Sequence, residues 1–360
     1  MTSPAFISLE ELERTSRPSG YGPGASSGVR APRRAAMGAQ APIPERYRSM
    51  STAELDIRIS DTRARLGNDL VILGHHYQRD EIIKHADFRG DSFKLSQLAA
   101  DRTAARYIVF CGVYFMAESA DILSGSSQTV ILPNLTAGCS MADMANLNDV
   151  LIAWDALTQA GEKLVPITYM NSAADLKAFC GEHGGAVCTS SNAPAILRWA
   201  FTRGEKVLFF PDEHLGRNTA DRIRLSQEMV SVWDPRHVAE SHADAADRSL
   251  IVWKGFCSVH ERFTVKQIER ARSEHLGCMV VVHPECRREV VQAAECNGST
   301  EFIIERIEAA APGTTIAVGT EINLVNRLAV EHPDKTIFCL DPVVCPCSTM
   351  YRIHPAYLAW

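Results

Sequence analysis

No run of about 18 apolar residues occurs in this 360-residue chain, so the sequence offers no membrane-spanning helix. Basic runs of useful length are missing past residue 50, and the net charge is −6. Both argue against a nucleic-acid partner. The opening segment, MTSPAFISLEELERTS, lacks the basic-then-apolar layout of a secretory signal. Neither CxxxCxxC nor a CxxC…CxxC pair is present, which disfavours the usual radical loop and the common zinc ribbons. What the chain does have is 11 cysteines. Without a secretory signal they point to a reducing, cytoplasmic setting, as packed thiols or as metal ligands.

A hydrophobic content of 46% with 22% charged residues describes an ordinary globular protein. The length exceeds one typical domain. Residues 1–48 are rich in Ser, Gly, Pro, Arg and Ala without apolar periodicity and read as a disordered extension. Ser51 with Glu54 has the form of a capping box opening a helix over 51–66. Beyond it, nine apolar runs alternate with amphipathic stretches. Residues 70–77, 106–112 and 129–133 supply strands of a first unit. Residues 163–171, 206–212 and 249–256 supply a second, and 277–285, 314–320 and 335–340 a third. Near-continuous apolar strands with helices between them mean parallel sheets covered on both faces. The expected fold is therefore α/β, three similar small three-layer domains at 49–148, 149–262 and 263–360. Ligands in such sheets gather beyond the C-terminal strand ends.

The three units share a ruler. Ser92, Cys111 and Cys139 follow His75 by 17, 36 and 64 residues, and Thr300, Gly319 and Cys347 follow His283 by the same steps. The middle copy is stretched: Ser190, Pro211 and Cys257 follow Tyr169 by 21, 42 and 88. Most of the excess falls in a polar insertion at about 217–248, expected to be a surface excursion without chemistry. Cys139, Cys257 and Cys347 thus end equivalent units, each followed by Ser and preceded within two residues by Gly or Pro. Three equivalent thiolates suggest an iron–sulfur cluster with one iron left open. Cys345 is a rival that the ruler rejects in favour of Cys347. Cys111, whose counterpart is Gly319, reads as packing, and Cys180, Cys188, Cys278, Cys286, Cys296 and Cys339 read as structural.

The first strand of each unit ends in polar groups: His75, His76 and Tyr77; Tyr169 and Asn171; His283 and Glu285. His and Tyr can donate to anionic oxygens, and Glu can act as acid or base. The second ruler position is a small hydroxyl residue before a helical segment, Ser92, Ser190 or Thr300. Helix capping alone would account for these. Equally, three helix N-termini would suit a small multiply anionic substrate. His260, three residues past Cys257, either faces the same site or is an ordinary edge histidine.

The motifs GHHYQ, GDSFKLSQLA, FCGVYFMAES, PDEHLGRNTA, WKGFCSVHE, VHPEC, GTEINLVNRL and CPCSTMYRI, spread over about 67–357, resemble those of the quinolinate synthase family, in its longer form. The resemblance implies three α/β domains about a pseudo-threefold axis, and a [4Fe–4S] cluster held by Cys139, Cys257 and Cys347. It implies condensation of iminoaspartate with dihydroxyacetone phosphate into quinolinate, phosphate and water, with the open iron as Lewis acid. Carried over by motif, Tyr77 and Glu285 resemble the acid–base pair, with His260 beside them. His75, Ser92, Tyr169, Asn171, Ser190, His283 and Thr300 resemble substrate contacts. An L-aspartate oxidase or dehydrogenase is the partner implied as source of iminoaspartate. Two other readings stay open: a diphthamide-type radical enzyme, which also takes one cysteine per domain, and a non-catalytic protein whose cysteines hold a sensor cluster or a zinc completed by His260.

Overall fold

The computed structural model describes residues 40–159, 161, 163–343 and 346–360. It contains three separate sheets, all of whose strand pairs are parallel. The chain divides into two compact units. The described residues up to Cys139, with 346–360, form one, and Ser140–Val343 form the other.

The first unit carries a sheet of β1 (Leu70–His75), β2 (Phe88–Gly90), β3 (Tyr107–Cys111) and β4 (Thr129–Ile131), in the order β2-β1-β3-β4. Leu73, Ile108, Phe110 and Cys111 are fully buried within it. The expected helix runs Thr52–Leu66, and Ser51 and Glu54 form the capping box. Residues 1–39 of the expected extension lie outside the described residues. Its last part is ordered: Glu45–Arg48 is a short helix, and Ile43 and Tyr47 bury against Leu55, Ala356 and Tyr357. The closing residues 346–360 therefore group with the first sheet rather than with the third.

The second unit carries two sheets. One has β5 (Leu164–Tyr169), β6 (Ala186–Cys188), β7 (Lys206–Phe210), β8 (Val230–Trp233) and β9 (Leu250–Trp253), in the order β6-β5-β7-β9-β8. The other has β10 (Met279–Val282), β11 (Cys296–Asn297), β12 (Thr315–Gly319) and β13 (Thr336–Cys339), ordered β11-β10-β12-β13. All nine strands expected from apolar runs are present. Each sheet also adds a two- or three-residue edge strand, β2, β6 or β11, too short to show as an apolar run.

The insertion is not a surface excursion. It supplies β8, whose Trp233 is fully buried in register with Trp253 of β9. Removing such an aromatic from a core costs about 3–5 kcal/mol. The insertion also supplies most of the helix Glu213–Ile223, with Gly216, Asn218, Thr219 and Ala220 buried.

Parallel register carries the ruler into space. His75 pairs with Gly90, Tyr169 with Cys188, and Val282 with both Asn297 and Gly319. Within each sheet, the residues singled out by spacing thus stand beyond the same C-terminal edge. Each of the three cysteines lies in a turn after a sheet's ruler strand and runs into a 3₁₀ turn, at Ala142, His260 and Met350. The turns at Cys257 and Cys347 close alike: the backbone N–H of Glu261 donates to Cys257 O (2.9 Å) and that of Tyr351 to Cys347 O (3.0 Å).

Candidate active site and metal ligands

In the second unit the ends of β5, β7, β9, β10 and β12 bring polar side chains into a buried group. Glu285, on the turn after β10, is 3% exposed and His260 is 1% exposed, so neither is an ordinary edge residue. His260 Nδ1 lies 2.8 Å from a Glu285 oxygen, and its Nε2 lies 3.1 Å from the Thr320 hydroxyl. A carboxylate only accepts, so Nδ1–H donates to Glu285, and in the neutral ring the Thr320 O–H donates to Nε2. The His260 and His283 rings stack at 4.5 Å, 17° from parallel. Tyr169 gives Glu285 a further hydrogen bond.

These contacts divide charge between two carboxyls. Burial disfavours the Glu285 charge, but the His260 ring and the hydrogen bonds from His260 and Tyr169 outweigh it and hold the group below the usual carboxylate range. Asp212 goes the other way. Burial, then the charge of Glu285, push its carboxyl well above the ordinary value. Its Oδ1 caps the helix Glu213–Ile223 by accepting the Leu215 N–H at 2.7 Å. Its Oδ2 is buried without a hydrogen-bond partner among the described residues. The two carboxyls are thus pushed in opposite directions, Glu285 toward its charged form and Asp212 toward its protonated one.

His283 is kept neutral. Burial pushes it down to about 3, against the pull of Glu285. Its Nδ1 accepts the Glu285 backbone N–H at 3.3 Å, which leaves the ring proton on Nε2. The first unit repeats the device: His75 Nδ1 accepts the Tyr77 backbone N–H at 3.1 Å. The His75 and Tyr77 rings meet edge-on at 4.8 Å. Two histidines at one ruler position therefore present an Nε2–H donor.

The hydroxyl positions are not the helix caps. Asp91 caps the helix Ser92–Asp101 and Ser299 caps Thr300–Glu308, so Ser92 and Thr300 are first helical residues. In the middle copy Thr189 and Asn192 bond each other at the helix start while Ser190 is buried between them. Capping therefore does not account for Ser92, Ser190 or Thr300. Asn171 is half-buried two residues past the end of β5.

Cys139, Cys257 and Cys347 are half-buried. A Cys257, His260 and Glu285 ligand atom all lie within 4.8 Å of one another. Cys347 Sγ lies 3.4 Å from the Thr349 hydroxyl. Cys345 lies outside the described residues. The other seven described cysteines are poor thiolates, because burial pushes every one up, Cys111 and Cys339 to about 12. One half-buried cysteine follows each sheet along the chain, and three thiol donors of this kind fit an iron–sulfur cluster.

Spacing missed Thr320 and Asp212. Both had a signal. They follow Gly319 and Pro211, so they occupy one repeat position, one residue past the third mark of the ruler, where the first copy has Gly112.

The family model described as Quinolinate synthetase A protein matches residues 58–360. A quinolinate synthase of Corynebacterium glutamicum is 55% identical over 347 residues, covering 95% of this chain and 88% of the relative. Those of Geobacillus kaustophilus and Halalkalibacterium halodurans are 54% and 52% identical, each over 88% of this chain and 87% of the relative. Identity of this extent removes the radical-enzyme and non-catalytic alternatives.

Proposed function

The chain belongs to the quinolinate synthase family, an enzyme family of NAD biosynthesis, and from that premise we propose how its residues carry the reaction. It joins iminoaspartate to dihydroxyacetone phosphate, releasing quinolinate, phosphate and two waters. Cys139, Cys257 and Cys347 hold a [4Fe–4S] cluster whose open iron supplies Lewis acidity toward a substrate oxygen.

The observation that carries this reading is the buried Glu285 group. Its geometry is fixed by His260, Thr320 and Tyr169, and its carboxyl and that of Asp212 are pushed in opposite directions, the pattern that acid–base work on a carbon skeleton uses. Glu285 takes and returns protons. Tyr169 supports its charge in the resting site. A substrate carboxylate that draws the Tyr169 hydroxyl to itself weakens that support and makes Glu285 a better base. His260 has both ring nitrogens engaged by Glu285 and Thr320, so it acts as a positioning residue for Glu285. Tyr77 is the second acid–base group. The Nε2–H donors of His75 and His283, the hydroxyls of Ser92, Ser190 and Thr300, and Asn171 hold phosphate and carboxylates. No helix among the described residues is long and apolar enough to cross a membrane. We place the enzyme in the cytoplasm, supplied with iminoaspartate by an L-aspartate oxidase or dehydrogenase.

The test is anaerobic reconstitution with iron and sulfide, followed by dihydroxyacetone phosphate with freshly generated iminoaspartate. Quinolinate is quantified by mass spectrometry. Product from the wild type, lost in Glu285→Gln, supports the reading. A fully loaded protein that yields none, or a Glu285→Gln variant that turns over normally, overturns it.

A further inference from the structure

The turn that carries Glu285 is gripped from outside its own sheet by the helix Glu213–Ile223. Asn218, in the middle of that helix, is 2% exposed. Its Nδ2 donates to the carbonyl of Pro284 and to that of Cys286, each at 2.8 Å. Those are the carbonyls of the two residues that flank Glu285 in the chain. From within, the same turn is closed by the Cys286 N–H to His283 O bond at 3.0 Å and by the Glu285 N–H on His283 Nδ1. Ion pairs flank it, Arg288 with Asp221 and Arg287 with Glu261. The Arg288–Asp221 pair holds the helix face, but among the described residues of that helix it is Asn218 that bonds the carbonyls flanking Glu285.

Asn218 Oδ1 is buried without a hydrogen-bond partner among the described residues. A desolvated, unanswered acceptor is unfavourable for folding, and an apolar side chain of similar size would avoid it. The amide therefore brings something that packing alone does not, two donors aimed at one turn.

We propose that Asn218 is a positioning residue for the chemistry: its amide clamps the turn at the Pro284 and Cys286 carbonyls and so fixes where the Glu285 carboxylate meets His260 and the substrate. This rests on the acid–base role proposed for Glu285. It also gives a function to the insertion at 217–248. A carboxylate displaced by a fraction of its bond to His260 still binds substrate through other residues but transfers protons poorly, so the clamp acts on turnover more than on binding.

The experiment uses reconstituted full-length enzyme with Asn218→Ala and Asn218→Asp, which remove the donors with and without loss of volume. Glu285→Gln and Asp221→Asn run alongside. Asp221→Asn loosens the same helix contact without touching the Glu285 peptides. Measured are kcat, KM for dihydroxyacetone phosphate, iron content and the urea unfolding midpoint. Both Asn218 variants are expected to lose kcat by about 10- to 100-fold, with KM within twofold and iron content unchanged. Asp221→Asn is expected to keep its kcat at a comparable shift in midpoint. Asn218 variants with wild-type kcat, or an Asp221→Asn loss of kcat matching theirs, overturn the clamp. Normal turnover in Glu285→Gln instead overturns the acid–base reading on which it stands.

Discussion

His283 makes the protein sensitive to acid in a way that can be worked from its surroundings. The ring is buried, stacked on His260, and occupied at Nδ1 by the Glu285 N–H. Its pKa is about 3 in the folded chain against an ordinary 6.5. Below about pH 6.5 the unfolded chain takes up a proton that the folded chain refuses, so stability falls as pH falls, until pH approaches the folded value. At about 1.4 kcal/mol per pKa unit, His283 alone removes about 2 kcal/mol between pH 7 and pH 5. His283→Asn keeps an acceptor for the Glu285 N–H and removes the titrating ring. Urea unfolding of metal-stripped protein at pH 7 and pH 5 compares the two. The buried His354, also pushed down, to about 4, contributes equally to both and cancels. The wild type should lose about 2 kcal/mol more than His283→Asn over that interval. Parallel pH dependence in the two proteins would refute the assignment of a buried neutral ring.

Tyr169→Phe removes a hydrogen bond that supports the Glu285 charge and a proposed substrate contact, so steady-state assays should show KM raised and the acid limb of the kcat–pH profile moved to higher pH. Thr320→Val removes the hydroxyl bonded to the buried His260 Nε2 and should lower both the unfolding midpoint and kcat, while Thr320→Ser restores both. Gly255→Ala would place a Cβ 2.2 Å from the Pro211 carbonyl oxygen, which cannot move without the strand end. The turn carrying Cys257 should be displaced and iron content after reconstitution should fall. Cys111→Ala removes a packed thiol and should keep both iron and turnover, at a stability cost read from the urea midpoint.

Much of the fold is legible because buried parallel strands leave long apolar runs, and β1, β3, β5, β7, β10 and β12 all show one. The edge strands β2, β6 and β11 are missed because two or three residues beside a turn carry no periodicity. The insertion is misread because its polar residues dominate its composition, while its apolar strand, which carries Trp233 into the core, is only four residues long. At the site, repeat spacing finds His283, Glu285 and Cys257, since their roles recur in other copies. It does not find Thr320, Asp212 or Asn218, which serve those residues by touching them across strand ends and helices. Thr320 and Asp212 share a repeat position, but what each side chain touches is legible only once the register is known. The hydroxyls show the converse case. Ser92 and Thr300 look like caps in sequence, and only the backbone shows that Asp91 and Ser299 take that part.

The central claim is that Cys139, Cys257 and Cys347, one following each sheet along the chain, hold a single four-iron cluster. Iron and acid-labile sulfide per chain, measured after anaerobic reconstitution of the wild type, Cys139→Ala, Cys257→Ala, Cys347→Ala and Cys111→Ala, test it most directly. The account predicts full loading in the wild type and Cys111→Ala, and loss in each of the other three. Full loading in any one of those three, or zinc in place of iron and sulfide in the wild type, would contradict it.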